Sequence, residues 1–316
     1  MSEEYLLAGL LGQPRERADA AGVEPGSADA KCDDAPHGTK RVTGLWWTIV
    51  AGLAAAAAWV FASATIIEKS FSAGLIGATW SAAHIDIFAN VVVFGGLLAI
   101  SVTMLRLQPG TRAEPKLSPL AAIPLGLLVG VGGLSLGLLH AWIEHGVVTA
   151  PAGHAKGLGL LLVGSLMTLF EAFVEELFFR GWLQNRLAVL RGGSVAVAFS
   201  ALAFAALHVF GGNPTALALV NIYLAGLLFG LLGFRTGAIW ISVCAHFGWN
   251  WAEAALFGLA PNPGVPSFGS ILDLDLVGPP IWGGSVEGLN GSIAVTAILA
   301  ALILPVLAGG ARAQRP

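Results

Sequence analysis

LWWTIVAGLAAAAAWVFASATII, residues 45–67, decides the fold class. No charge interrupts it. A helix rises ~1.5 Å per residue, so roughly 20 apolar residues cross a ~30 Å hydrocarbon layer. Working outward, comparable runs recur near 85–105, 117–139, 157–180, 195–210, 215–234, 239–259 and 292–309. Eight spans are predicted. Helices are expected because lipid offers no water to open backbone groups. Frequent Gly and Ala suit close helix packing in a membrane.

Composition agrees. Hydrophobic residues make up 56% of the 316 and charged residues 11%, against about 25% charged in soluble domains. Residues 1–41 hold thirteen of the thirty-five charges. The remainder has too little polar surface for a water-soluble domain. A soluble enzyme, a nucleic-acid binder and a disordered chain are excluded, and lipid is an expected partner. Residues 1–41 read as a disordered polar cytoplasmic leader, with one short interfacial turn at Tyr5–Leu11. Residues 42–316 read as an all-α transmembrane helical domain. Cys32 and Cys244 lie in different environments and suggest no disulfide framework. The first apolar run starts too late for a cleaved signal peptide.

The basic residues set an expected topology. With a cytoplasmic N-terminus and eight crossings, fourteen Lys and Arg fall on the cytoplasmic side. Only Lys69 and Lys156 fall on the far side. That is a strong positive-inside bias. It predicts a multi-pass protein of the cell membrane with both termini cytoplasmic. The Gly- and Pro-rich segment 260–291 then lies on the far side, as a structured loop or re-entrant turn. No internal repeat of the transporter kind is visible.

Ionisable groups inside a span are costly and therefore informative. Phe170-Glu171-Ala172-Phe173-Val174-Glu175-Glu176-Leu177-Phe178-Phe179-Arg180-Gly181 places three acids and an Arg in the fourth run. Glu176 and Arg180 are spaced to pair on one helical face. Glu175 points about 100° away and shares its face with Glu171. One glutamate can thus be neutralised while its neighbour stays available. His208 ends the fifth run, after Phe204. A turn near Arg191–Gly193 would bring Glu175 and His208 to nearly the same level of a hairpin. In the seventh run His246 and Asn250 stack at i, i+4. Glu253, three beyond Asn250, reads as a peripheral polar residue or else as lining of the same cavity, and Asn221 and Tyr223 read as cavity lining. His140, Glu144 and His145 resemble a metal clip only loosely.

This set suits activation of water. A desolvated carboxylate is a better general base, a neutral histidine orients water, and a second His with an Asn amide can hold a developing oxyanion. No serine or cysteine nucleophile stands at motif spacing with a base. Zinc on two His and one Glu is the rival. The HExxH signature is absent, so no cofactor is expected, with zinc as the minor alternative.

Glu175-Glu176-x-x-x-Arg180, Phe204-x-x-x-His208 and His246-x-x-x-Asn250 resemble the three motifs of the CPBP intramembrane glutamic endopeptidases, the CAAX prenyl protease and bacteriocin-processing group also called the Abi family. Gly226–Gly237 and the Gly-rich run before the last span are also similar. The resemblance covers roughly residues 155–309. It implies an eight-helix bundle whose cavity opens to the cytoplasm. It implies an endopeptidase acting on a peptide or protein substrate, with prenylated or otherwise lipidated substrates among those the family takes. Glu175 would be the base, His208 the residue that helps hold the water, and His246 and Asn250 the oxyanion donors. Glu176 and Arg180 would support the site, and Glu171 is an extra acid beside it. A non-enzymatic immunity or scaffold protein of the same fold is the alternative. A transporter is a third reading.

Overall fold

A computed structural model describes residues 35–77, 79–107, 115–149, 157–211, 214–259, 265–285 and 287–312. Eight long helices form the molecule: α1 Ala35–Ser72, α2 Ala82–Leu107, α3 Pro119–Ile143, α4 Leu158–Arg191, α5 Gly193–His208, α6 Ala216–Thr236, α7 Ile239–Leu256 and α8 Ile293–Arg312. Helix α4 winds as a π-helix over Leu177–Gln184, and α7 ends in a π-helix over Ala252–Leu256. The chain is an all-α membrane helix bundle.

Each apolar run became one helix, but the eight are not equal spans. Five (α1–α4 and α6) are long and apolar enough to cross a membrane. Helix α5 has 16 residues, and α7 has 13 α-helical residues before its π-helix. The apolar part of α8 also falls among the shorter helices. Of the short helices, α7 is largely buried, whereas α5 exposes Phe199 and Leu202 and α8 exposes Leu304 and Leu307 on the outside of the bundle. Most of the sequence read as leader, residues 1–34 with Tyr5–Leu11, lies outside the described residues. Helix α1 begins at Ala35.

Local chemistry sets the breaks. Gly192 stops α4 at φ 82°, in the left-handed region that glycine enters without penalty. Gly237 caps α6 at φ 69°. The Thr215 hydroxyl accepts from the Ala218 N–H at the start of α6.

Contacts between connections define two ends of the bundle. The Lys116 N–H donates to the Thr236 carbonyl, joining the start of α3 to the end of α6. The Arg191 guanidinium lies 5.3 Å from the Trp46 ring, joining the end of α4 to the start of α1. At the other end β1 (Val147–Thr149) pairs antiparallel with β2 (Leu274–Leu276), Val148 opposite Asp275. There too Thr215 donates to the Glu287 carboxylate from both its N–H and its hydroxyl. Segment 265–291 is thus a structured loop among its described residues, with two 3₁₀ turns and a strand.

Two apolar cores fill the bundle. One joins α3, α6, α7 and α8 around Leu134, Leu228, Ile241, Trp249 and Leu299. The other joins α1, α2, α4 and α5 around Ile49, Leu97, Phe178, Trp182 and Phe204. The closest backbone approach in the first core is α3 on α7. A Cβ on Gly130 would lie 2.1 Å from the Ala245 carbonyl oxygen.

Candidate active site

The polar residues of α4 divide their partners by face. Glu176 is fully buried, and its Oε1 accepts from Arg180 Nη1 at 2.8 Å and from His246 Nδ1 at 3.0 Å. Arg180 donates its other nitrogen, Nη2, to the Gly226 carbonyl at 2.8 Å. Its guanidinium carbon sits 4.8 Å from the Phe204 ring centroid and 5.8 Å from those of Phe179 and Phe229. Aromatic faces favour a cation there. Arg180 therefore pins α4 to α6 while it neutralises Glu176.

Glu175, one residue earlier, turns to a different face. Its side chain is 14% exposed and lines a cavity of about 200 Å³ between the two apolar cores. That volume admits a handful of water molecules at about 30 Å³ each. Glu171, Phe204, His208, His246 and Asn250 line the same cavity. The structure thus gathers six of the eight sequence-picked residues around one space. The other two, Glu176 and Arg180, stand behind it as a buried pair.

The histidines are held differently. His208 Nδ1 donates to the Phe204 carbonyl at 2.9 Å. In the neutral ring this leaves Nε2 as an acceptor. His246 donates from Nδ1 to Glu176, and its Nε2 lies 3.6 Å from Glu175 Oε2, beyond hydrogen-bond reach. Its ring stacks on Phe229, with centroids 5.0 Å apart. His246 therefore faces both glutamates and makes an interhelical hydrogen bond to a partner 70 residues away, which helical spacing alone does not identify.

Further lining residues come from α6, α7 and the segment before α8. Asn221 is buried, and its amide donates to the Asn290 and Ser292 carbonyls at 2.8 and 2.9 Å while its Oδ1 accepts from Thr296. Asn290 lines the cavity and was not picked from sequence. Its segment is loop-like, with no period to mark it. Glu253 is 3% exposed and lines the cavity, the second of the two places the sequence allows it. It lies in the π-helix that follows Trp251. Tyr223 is not among the lining residues.

Among the described residues no group of three His, Cys, Asp or Glu side chains is placed to hold a metal ion. His208 Nδ1 and His246 Nδ1 are committed to a carbonyl and a carboxylate, so Nε2 of each ring is the atom that could meet water or a ligand.

Hydrogen bonds bound the cavity at both ends. At one, Gln184 donates to the Gly230 carbonyl and Ser242 to the Phe229 carbonyl. At the other, which carries Thr215, Glu287 and the β1–β2 pair, Asn221 donates to the Asn290 and Ser292 carbonyls.

No curated protein and no solved structure matches this chain. A family model does, over residues 157–252: the type II CAAX prenyl endopeptidase, Rce1-like. Those residues comprise α4, α5, α6 and most of α7, and so contain all eight sequence-picked residues and Asn221, whereas Glu253, Glu287, Asn290, Ser292, Val295 and Thr296 lie beyond them. The match over residues 157–252 supports assigning this part of the chain to the CPBP/CAAX protease family, a family of membrane-embedded peptidases.

Proposed function

We propose that the protein is an intramembrane endopeptidase that hydrolyses a peptide bond of a membrane-associated substrate with water activated by Glu175. The observation that carries this reading is the division of labour between adjacent glutamates. Glu176 is consumed by Arg180 and His246, while Glu175 faces an open cavity beside His208.

Glu175 takes a proton from water as the water oxygen attacks the carbonyl carbon. His208 Nε2 accepts the water's other hydrogen and orients it. The tetrahedral oxyanion is met by the Asn250 amide. An imidazolium at His246, protonated on both nitrogens, would donate to Glu176 and to the oxyanion together. Glu175 then returns its proton to the amide nitrogen, the C–N bond breaks, and an acid and an amine leave. A positioned base typically contributes 10²–10⁴-fold and an oxyanion donor about 10²–10³-fold. No metal or cofactor enters this reading.

The test is cleavage of a membrane-anchored peptide library, prenylated members included, by detergent-purified protein. Wild type is compared with Glu175→Ala and His208→Ala, each with and without chelator. Cleavage lost in both variants and kept with chelator supports the reading. Loss with chelator and recovery with zinc would replace it with a metal mechanism. No cleavage by wild type would favour the scaffold alternative.

A further inference from the structure

The cavity holds a carboxyl that the proposed reaction leaves unused. Glu171 stands one turn before Glu175 in the regular part of α4, ahead of the π-helix that starts at Leu177. Residues so spaced have Cβ atoms about 5–6 Å apart. Both side chains are partly buried and line the same cavity. Among the described residues no hydrogen bond or ion pair engages the Glu171 carboxyl.

The neighbouring groups distinguish the two acids. Arg180 spends one nitrogen on Glu176 and another on the Gly226 carbonyl, behind the cavity. His246 Nε2 lies 3.6 Å from Glu175 Oε2. His208 from α5 and Glu253 from α7 face the same space, and Glu253 adds a third carboxyl to it. Two carboxylates a turn apart repel when both are ionised, and such a pair holds one proton in common. The His246 ring stands beside Glu175, so the negative charge rests there and the proton rests on Glu171.

A peptide nitrogen leaves as an amine, so it must gain a proton as the C–N bond breaks. One carboxyl that serves first as base and then as acid must do both from one place. A protonated neighbour one turn away separates the two tasks. We propose that Glu171 is the acid of the reaction, donating its proton to the amide nitrogen of the tetrahedral intermediate while Glu175 is the base. This rests on the peptidase reading above and adds a second carboxyl to it. The N–H bond forms as the C–N bond breaks, the oxyanion closes to a carbonyl, and a carboxylic acid and an amine leave. Glu171 is left as a carboxylate. The proton that Glu175 took from water then passes to it across the cavity and restores the pair. One water is consumed, and Glu175 returns its proton to the nitrogen by way of its neighbour.

The experiment uses the full chain in detergent, a library peptide that wild type cleaves, and the same peptide with an ester in place of the scissile amide. An alkoxide leaves with less help from an acid than an amide nitrogen needs. Glu171→Gln keeps the size and polarity of the side chain but has no acidic proton. It is expected to lower kcat for the amide by about 100-fold or more, to lower ester hydrolysis far less, and to leave KM and the melting temperature close to wild type. Glu175→Ala is expected to lose both substrates. Equal losses on amide and ester in Glu171→Gln overturn the proposal, and so does an amide rate close to wild type. An amide-selective loss in Glu253→Gln, with Glu171→Gln still active, gives the acid's role to Glu253 and overturns it too. In each of these outcomes cleavage by wild type and its loss in Glu175→Ala leave the peptidase reading standing. No cleavage of either substrate by wild type ends that reading, and this proposal with it.

Discussion

Glu176 and Arg180 show why one carboxylate in a Glu-Glu pair is structural. Both are buried, and the guanidinium spends one nitrogen on the carboxylate and another on the Gly226 carbonyl. A Lys at 180 offers one compact ammonium where Arg offers a fork. Arg180→Lys is therefore expected to lose the α4–α6 tie and lower the unfolding temperature in detergent. Glu176→Ala leaves an uncompensated buried cation and is expected to cost about 3–5 kcal/mol. His208→Ala removes a half-buried ring at a helix end. It is expected to lower peptide cleavage by about 100-fold or more with little change in melting, and equal loss of both would sink its role at the water. The i, i+4 pair was legible because helical spacing alone decides it. The Glu176–His246 bond was not legible, since it joins helices whose facing depends on packing of the whole core.

Elements position these side chains through two irregularities and one tight crossing. The π-helix at Leu177–Gln184 begins directly after Glu176 and is buried throughout. Extra residues per turn re-aim the side chains that follow, and such features gather at functional sites. The α3–α7 crossing is set by glycine. Gly130 meets the Ala245 carbonyl oxygen, a backbone atom with no freedom to move aside, whereas nothing lies within 4 Å of a Cβ on Gly132. Gly130→Ala is expected to destabilise by about 1–3 kcal/mol through overpacking. Gly132→Ala is expected to be neutral or to gain about 0.5–1 kcal/mol from helix propensity. Thermal unfolding of the two variants side by side checks this, and equal effects would show that the crossing is looser than described. The helices themselves were legible as apolar runs, and the α4–α5 turn was marked by Gly192 and Gly193. The unequal depth of the helices was not, because a 16-residue apolar run reads alike whether it faces lipid or neighbouring helices.

At the scale of the molecule, the two apolar cores meet at the cavity, and the loops sort charge between the two ends of the bundle. Composition made the membrane bundle plain, but a linear charge count has no way to show which connections share an end. The β1–β2 pair offers a chemical readout of the end that carries Glu144 and Asp275. Val148 stands opposite Asp275, and both are exposed. Paired antiparallel residues have Cα atoms about 4.5–5.5 Å apart, within the range a disulfide bridges. Disulfides persist in extracytoplasmic compartments and not in the reducing cytoplasm. Val148→Cys with Asp275→Cys is therefore expected to oxidise spontaneously during expression in a bacterial host. After thiol alkylation of intact cells, the bridged protein would take up the alkylating mass only when first reduced. Each single-cysteine variant, with one thiol at that site, provides the unbridged reference. A pair that stays reduced in cells, yet closes when isolated membranes receive an oxidant, would place this end in the cytoplasm and the basic end outward, against the positive-inside bias.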